Sequence, residues 1–197
     1  QFYNENGGKT GTYTGYYSPV IDGCRKQSAQ CNEPIMGVPV NGANYKGVPK
    51  KDIVNKKIGR VLYWANMVDV QNLQIQGSGM LKLEDGTNVK LNFGATNDMQ
   101  FKSIGEQLKQ RGIKPDGGYS ADAVWKYLKK NPKLAKEVIY NNPRYVYFKE
   151  SDSKNVVGKL GTPLSKIRSI AVDDSIYTIG MPVYINTNLS DGRKFQR

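Results

Sequence analysis

Residues 80–83 (Met-Leu-Lys-Leu) and 89–93 (Val-Lys-Leu-Asn-Phe) alternate in polarity on either side of Glu84-Asp85-Gly86-Thr87. An Asp-Gly turn between two runs of period two is a strong β-hairpin signal, because glycine supplies the positive φ that the reversal requires. The hairpin anchors a β-patterned region from Gly59 to Phe93. Within it, 61–64 is a short apolar run, and 70–76 reads as a strand with Val70, Leu73 and Ile75 as its apolar members and a bulge at Gln71-Asn72.

The period then changes to that of helices. Ser103-Ile104-Gly105-Glu106 matches a capping box, Ile104, Leu108 and Ile113 give an apolar stripe, and Gly112 fits a C-terminal stop. Ser120 opens a second helix with Ala121, Val124, Trp125 and Leu128 on one face. Asn131-Pro132 caps and starts a third, which buries Leu134, Ala135, Val138 and Ile139 and ends at Asn141-Asn142-Pro143. Upstream, a weak strand at 10–14 precedes a Gly/Pro/Asn-punctuated stretch of short strands and loops reaching Pro49. Downstream, 145–148, 167–172, 177–179 and 183–185 read as strands, and 189–193 reads as a turn that needs a return strand. The fold class expected is mainly β with a few helices.

The chain contains no histidine, which excludes Ser-His-Asp and Cys-His catalysis and any histidine metal ligand. Its two cysteines, Cys24 and Cys31, cannot make a four-thiolate zinc site. In an exported protein they close a polar surface loop worth roughly 2–3 kcal/mol, whereas in the cytosol two free thiols are the default. Twenty-nine basic against seventeen acidic residues give a net charge of +12, which favours an anionic partner such as nucleic acid, a membrane surface or the bacterial wall. The basic residues are scattered, as in Lys56-Lys57 and Lys129-Lys130, and no nucleic-acid motif interleaves them with aromatics, so no nucleic-acid partner is expected. No apolar run approaches the roughly 20 residues of a bilayer span.

Five segments, in order, resemble the membrane-bound lytic transglycosylase A family. Thr14-Gly15-Tyr16-Tyr17-Ser18-Pro19-Val20 is similar to the family's TGYYTPV, and Gln74-Ile75-Gln76-Gly77-Ser78-Gly79 to its vQGSG. Phe101-Lys102-Ser103-Ile104-Gly105 is similar to YxSIG, and the stretch from Asn142-Pro143 to Phe148 to NPSFVFF. Ser169-Ile170-Ala171-Val172-Asp173-Asp174-Ser175, followed by Ile179-Gly180-Met181-Pro182-Val183, is similar to SLAVDRSLIPLGTPV.

The resemblance implies a double-psi β-barrel, incomplete in this chain, interrupted by an inserted β-rich, barrel-like domain, with a groove for a glycan strand between them. Residues 1–14 would be the N-terminal strand region of the double-psi barrel, 15–160 the inserted domain with three helices, and 161–197 the start of the barrel's C-terminal part. The implied reaction cleaves the β-1,4 bond between N-acetylmuramic acid and N-acetylglucosamine without water. One carboxylic acid protonates the leaving oxygen, and its carboxylate then helps the muramic acid 6-hydroxyl close onto C1, giving a 1,6-anhydro product. No metal or organic cofactor is implied, and the implied partner is peptidoglycan in the periplasm, with a lipid anchor to the outer membrane outside this sequence.

Of the family's three characteristic aspartates only the first has a counterpart, Asp173, which the resemblance places in the cleft in support of the acid. The principal catalytic aspartate has no counterpart before Arg197. It, and the strands completing the barrel, would come from a C-terminal segment outside this sequence or from a second chain. Candidate substrate-binding residues are Tyr16, Tyr17, Gln76, Gly77, Ser78, Gly79 and Ser103. Tyrosine rings stack on the apolar faces of pyranoses, glutamine offers both donor and acceptor, and glycine lets backbone approach a sugar. Each also has a structural reading: strand end and turn for 76–79, helix cap for Ser103, turn aspartate for Asp173. An ordinary glycosidase pair is not apparent, since Glu84 sits in the turn and Glu106 in the capping box.

Overall fold

A computed structural model describes residues 17–40, 44–152, 157–189 and 191–197. Tyr16 and the strand expected at 10–14 lie outside the described residues. The chain divides into two compact units, Gln1–Asp152 and Ser153–Arg197.

The first unit follows the order β1 (Val20–Cys24), β2 (Glu33–Met36), α1 (Lys50–Lys56), β3 (Val61–Ala65), α2 (Met67–Gln76), β4 (Gly79–Leu83), β5 (Asn88–Thr96), α3 (Ile104–Gln110), α4 (Ala121–Lys130), α5 (Pro132–Asn141) and β6 (Val146–Glu150). Its strands form one sheet in the order β2-β3-β1-β4-β5-β6. Neighbours are antiparallel except β1 and β4, which run parallel with Val20 opposite Met80. A bridge between Gly37 and Phe148 brings the two edges together, so the sheet is a nearly closed six-stranded barrel. Closure removes the exposed ladder edges on which sheets otherwise associate.

The β4–β5 hairpin forms at the expected Asp-Gly turn. Leu83 N–H donates to the Thr87 carbonyl at 2.8 Å, Thr87 N–H donates to Asp85 Oδ1 at 2.8 Å, and Gly86 takes φ 82°. Inward residues of the strands, among them Ile21, Ile35, Leu81, Leu91 and Phe148, form one buried cluster that Val70 and Leu73 of α2 join. A second cluster is helical, uniting Val68 of α2 with Leu108, Val124, Leu128, Val138 and Ile139 of α3–α5. Half-buried Trp125 packs against it.

The three expected helices are present. Ser103 and Ser120 cap α3 and α4 by accepting from Glu106 N–H at 3.3 Å and Ala123 N–H at 3.4 Å. Asn131 does not cap α5 through its side chain; Nδ2 donates back to the Tyr127 carbonyl at 2.9 Å, closing α4, and Pro132 starts α5.

The strand expected over 70–76 is a helix. Asn66 Oδ1 accepts from Val68 N–H at 3.0 Å as its N-cap, and Gly77 ends it in the left-handed region at φ 75°. The apparent alternation arises because Val70 and Leu73, three apart, face the barrel cluster while Gln71, Asn72 and Gln74 are buried polar residues. α1 was also unexpected. It starts after Pro49, lacks a side-chain cap, and buries the lysine at its first position, so neither cap nor polarity marks it.

The second unit holds a two-stranded hairpin, β7 (Asn186–Asn188) with β8 (Lys194–Gln196), around the expected turn. Lys194–Gln196 is thus the return strand. The strands expected over 167–172, 177–179 and 183–185 are not formed. Extended backbone becomes a strand only by sustained ladder pairing; Ile185 exchanges backbone hydrogen bonds with Arg197 at 2.7 and 3.1 Å at the end of the β7–β8 ladder, and none of the three segments forms a strand of its own. Ile185 is the one buried hydrophobic residue described here, and Leu160, Ile167, Ile176 and Tyr184 are each more than 60% exposed.

Candidate functional site

Helical spacing of three and four puts Gln71, Gln74 and Ile75 on one face of α2. That face walls an open pocket of about 240 Å³, whose other wall carries Phe101, Arg144 and Val146. Buried Asn142 joins the two segments of that wall. Its Oδ1 accepts from Lys102 N–H at 3.1 Å and Arg144 N–H at 3.3 Å. Asn97, fully buried, fixes the same turn from beneath by donating to the carbonyls of Val48 and Pro143 at 2.7 and 2.8 Å and accepting from Tyr145 N–H at 2.8 Å.

The polar lining is oriented. Gln71, 1% exposed, accepts at Oε1 from Lys50 Nζ at 2.5 Å, which leaves its NH2 as the donor available to the pocket. Gln74, 6% exposed, donates to the Val146 carbonyl at 3.5 Å while its Oε1 is buried without a partner among the described residues. Phe101 presents a partly exposed ring. The Arg144 guanidinium has no ion-pair contact among the described residues; nearby Asp98 is paired with Lys46 at 2.7 Å, and that contact, with the Thr96 hydroxyl and a smaller influence of Arg144, holds its carboxyl below the ordinary range.

Behind Gln71 lie two buried ionisable side chains, Lys50 and Glu33, that influence each other through their charges. Burial lowers the Lys50 ammonium to about 8, opposed by the charge of Glu33. Burial raises the Glu33 carboxyl, opposed by the Lys50 charge and by the Tyr140 hydroxyl, which donates to Oε2 at 2.9 Å. Glu33 Oε1 has no partner among the described residues.

Among the expected substrate-binding residues, the structure joins Tyr17 to Gln76. Gln76 Oε1 accepts from Tyr17 N–H at 3.2 Å, and Asn72 Nδ2 donates to the Tyr17 hydroxyl at 2.9 Å. Gly77 is the helix stop, with open space where a Cβ would be. Ser78 leads into β4, and at Gly79 a Cβ would stand 2.4 Å from Leu73 Cδ1 and 3.0 Å from the Pro19 carbonyl oxygen. Gly79 therefore permits α2 and the segment before β1 to approach each other. Ser103 is exposed and caps α3.

Asp173, in the second unit, is exposed. Its Oδ1 accepts from the Ser175 hydroxyl at 2.6 Å and from Ser175 N–H at 2.9 Å, and these bonds hold its carboxyl below the ordinary range. Cys24 and Cys31 form a disulfide, stapling an exposed loop. No group of three or more metal-ligating side chains occurs among the described residues.

The pocket offers a donor, a buried acceptor, a cation and an aromatic face, and no carboxylate lines it among the described residues. Its groups can hydrogen-bond, pair with an anion and stack. Sequence reading missed Gln71, Gln74, Phe101 and Arg144 as lining residues. The signal for the first two was the three- and four-residue spacing, hidden by the strand assignment.

The MltA specific insert domain family matches residues 46–149, more than half of the chain. The membrane-bound lytic murein transglycosylase A of Vibrio cholerae is 30% identical over 180 residues, covering 87% of this chain and 48% of that protein. Its Escherichia coli K12 counterpart is 27% identical over 189 residues, covering 91% and 50%. The chain spans about half the length of these curated relatives. Among solved structures, the lytic transglycosylase LtgG of Burkholderia pseudomallei is 30% identical with a TM-score of 0.70, covering 100% of this chain and 61% of that one. E. coli MltA with bound chitohexaose is 24% identical with a TM-score of 0.79, covering 93% and 57%. With its insert domain matched and its barrel-like fold shared, the chain belongs to the MltA family of lytic murein transglycosylases.

Proposed function

We propose that this chain is the glycan-holding portion of a peptidoglycan lytic transglycosylase that cleaves the β-1,4 bond between N-acetylmuramic acid and N-acetylglucosamine and leaves a 1,6-anhydromuramic acid end. In this reading residues 15–160 are the inserted domain. Residues 1–14 and 161–197 belong to a double-psi β-barrel completed by sequence outside this chain or by a second chain. In this reading the enzyme works in the periplasm, held to the outer membrane through a lipid outside this chain; the relatives' names support only that they are membrane-bound.

The observation that carries the proposal is the convergence of three separated segments on α2. Tyr17 is bonded to Asn72 and Gln76, while Phe101 and the Asn142–Val146 turn face Gln71, Gln74 and Ile75. Stacking on Tyr17 and amide contacts from Gln76 suit an acetamido sugar. The relative solved with chitohexaose is consistent with such a ligand. Gly77, Ser78, Gly79 and Ser103 line the strand's path, Tyr16 adds a second ring, and Asp173 supports a catalytic acid supplied from outside the chain. The net charge of +12 favours wall polymer bearing carboxylates.

Incubation of the chain with purified peptidoglycan, followed by mass spectrometry and a pull-down, tests this. Glycan retained without 1,6-anhydromuropeptides, with product appearing once the remaining sequence is restored, is the expected result. Anhydro product from the chain alone would place the acid within it, with Asp173 as first suspect. Retention with no product even from the restored protein would favour a non-catalytic binding module. Failure to retain glycan would overturn the reading.

A further inference from the structure

The pocket beside α2 contains more than a neutral sugar requires. Arg144 is exposed, without an ion-pair contact among the described residues, and its backbone is fixed through Asn142 and Asn97. Opposite it, the Gln71 carbonyl is occupied by Lys50, and Gln74 Oε1 is buried without a partner among the described residues. A donor and an acceptor on one helix face, one turn apart, match the C=O and N–H of a single extended residue, which point to the same side. The guanidinium across the pocket matches a carboxylate, which it can take through two parallel N–H···O bonds. Phe101, Ile75 and Val146 supply apolar surface between them.

We propose that this pocket is a subsite for an N-acylated dipeptide with a free carboxylate. Arg144 pairs the carboxylate, Gln74 accepts the N–H of the residue before it, and Gln71 donates to the carbonyl of that same residue. Lys50 is a positioning residue that acts through Gln71. Resting on the proposed function, the ligand is the acidic peptide stem carried by muramic acid, so the subsite reads the decoration of the strand rather than its sugars.

The test is titration of the ¹⁵N-labelled chain with N-acetyl-L-alanyl-D-glutamic acid and, separately, with its diamide, following the side-chain amides of Gln71 and Gln74 by NMR. The acid is expected to bind at least about tenfold more tightly than the diamide, as loss of a charge-assisted contact implies. Arg144→Gln should bring the two to parity, with the backbone bond to Asn142 retained. Equal binding of acid and diamide, binding of neither, or no effect of Arg144→Gln overturns the proposal. Chitohexaose titrated into the same samples reports on the glycan reading alone. Sugar binding without acid selectivity sinks the subsite and keeps that reading, and acid selectivity without sugar binding does the reverse.

Discussion

Tyr17 N–H donates to Gln76 Oε1 at 3.2 Å, joining two residues 59 positions apart. One turn earlier on the same helix, Asn72 donates to the Tyr17 hydroxyl at 2.9 Å. An aromatic residue is thus pinned at backbone and hydroxyl against one face of α2, with the residue left 55% exposed. A ring held this way loses little entropy when a ligand covers it, which is the condition for a stacking platform.

Asn72→Ala should release the hydroxyl end of that tether. The hydrogen bond contributes about 0.5–1.5 kcal/mol, so stability should fall by that order and chitohexaose affinity by roughly three- to tenfold. Tyr17→Ala should abolish the stacking contribution with little change in melting temperature. Calorimetric titration separates the two effects, and unchanged chitohexaose affinity in Tyr17→Ala would remove the residue from the site.

The two glycines after Gln76 differ in kind. Gly77→Ala faces no steric contact but must hold φ 75°, at a cost of roughly 1–2 kcal/mol. Gly79→Ala would force a Cβ against Leu73 and the Pro19 carbonyl, costing about 1–3 kcal/mol as overpacking and displacing the segment that carries Tyr17. Urea denaturation should rank Gly79→Ala below Gly77→Ala, and glycan binding should fall in the first much more than in the second.

The Cys24–Cys31 staple joins residues seven apart, and its loop is tethered to the β4–β5 turn by Arg25 paired with Asp85 at 3.0 Å. Both ends of that ion pair are exposed, so the covalent link dominates. Reduction should lower stability by roughly 2–3 kcal/mol by loop entropy, without loss of the β4–β5 hairpin. Denaturation with and without reductant measures the first, and hairpin amide shifts measure the second.

Legibility in the sequence followed how local each signal is. The hairpin at Asp85-Gly86 and the caps at Ser103 and Ser120 are fixed by chemistry within four residues, and all three stand where the sequence put them. α2 misled because its buried face is half polar: Gln71, Asn72 and Gln74 are enclosed by the site, so hydrophobic period no longer marked the helix. Asn66 and Gly77 did mark it, as cap and stop. Segments 167–172, 177–179 and 183–185 carry strand-like composition but are not strands, although Ile185 exchanges backbone bonds with Arg197, and strand formation is a tertiary property that composition cannot supply. The pocket was visible only in fragments, because its walls come from segments whose contact depends on Asn97 and Asn142 bridging the chain.

The Glu33–Lys50 pair gives the sharpest stability test. Both side chains are buried, and the two charges influence one another. Lys50→Met leaves Glu33 without its compensating charge and Gln71 without its donor, so a loss of about 3–5 kcal/mol is expected. Combined Lys50→Met and Glu33→Gln removes both charges and should recover most of that loss. The pH response has a defined sign. Lys50 titrates near 8 when folded against 10.5 when unfolded, so over that interval the unfolded chain binds the extra proton. Stability therefore gains a contribution as pH rises above about 8, while the penalty of the buried ammonium is fully present below it. Tyr140 and Tyr147, raised by burial, oppose this only where tyrosine begins to ionise. Urea midpoints between pH 7.5 and 9.5 should rise in the wild type relative to Lys50→Met, and parallel curves would show that Lys50 is not held in the low-pKa environment described here.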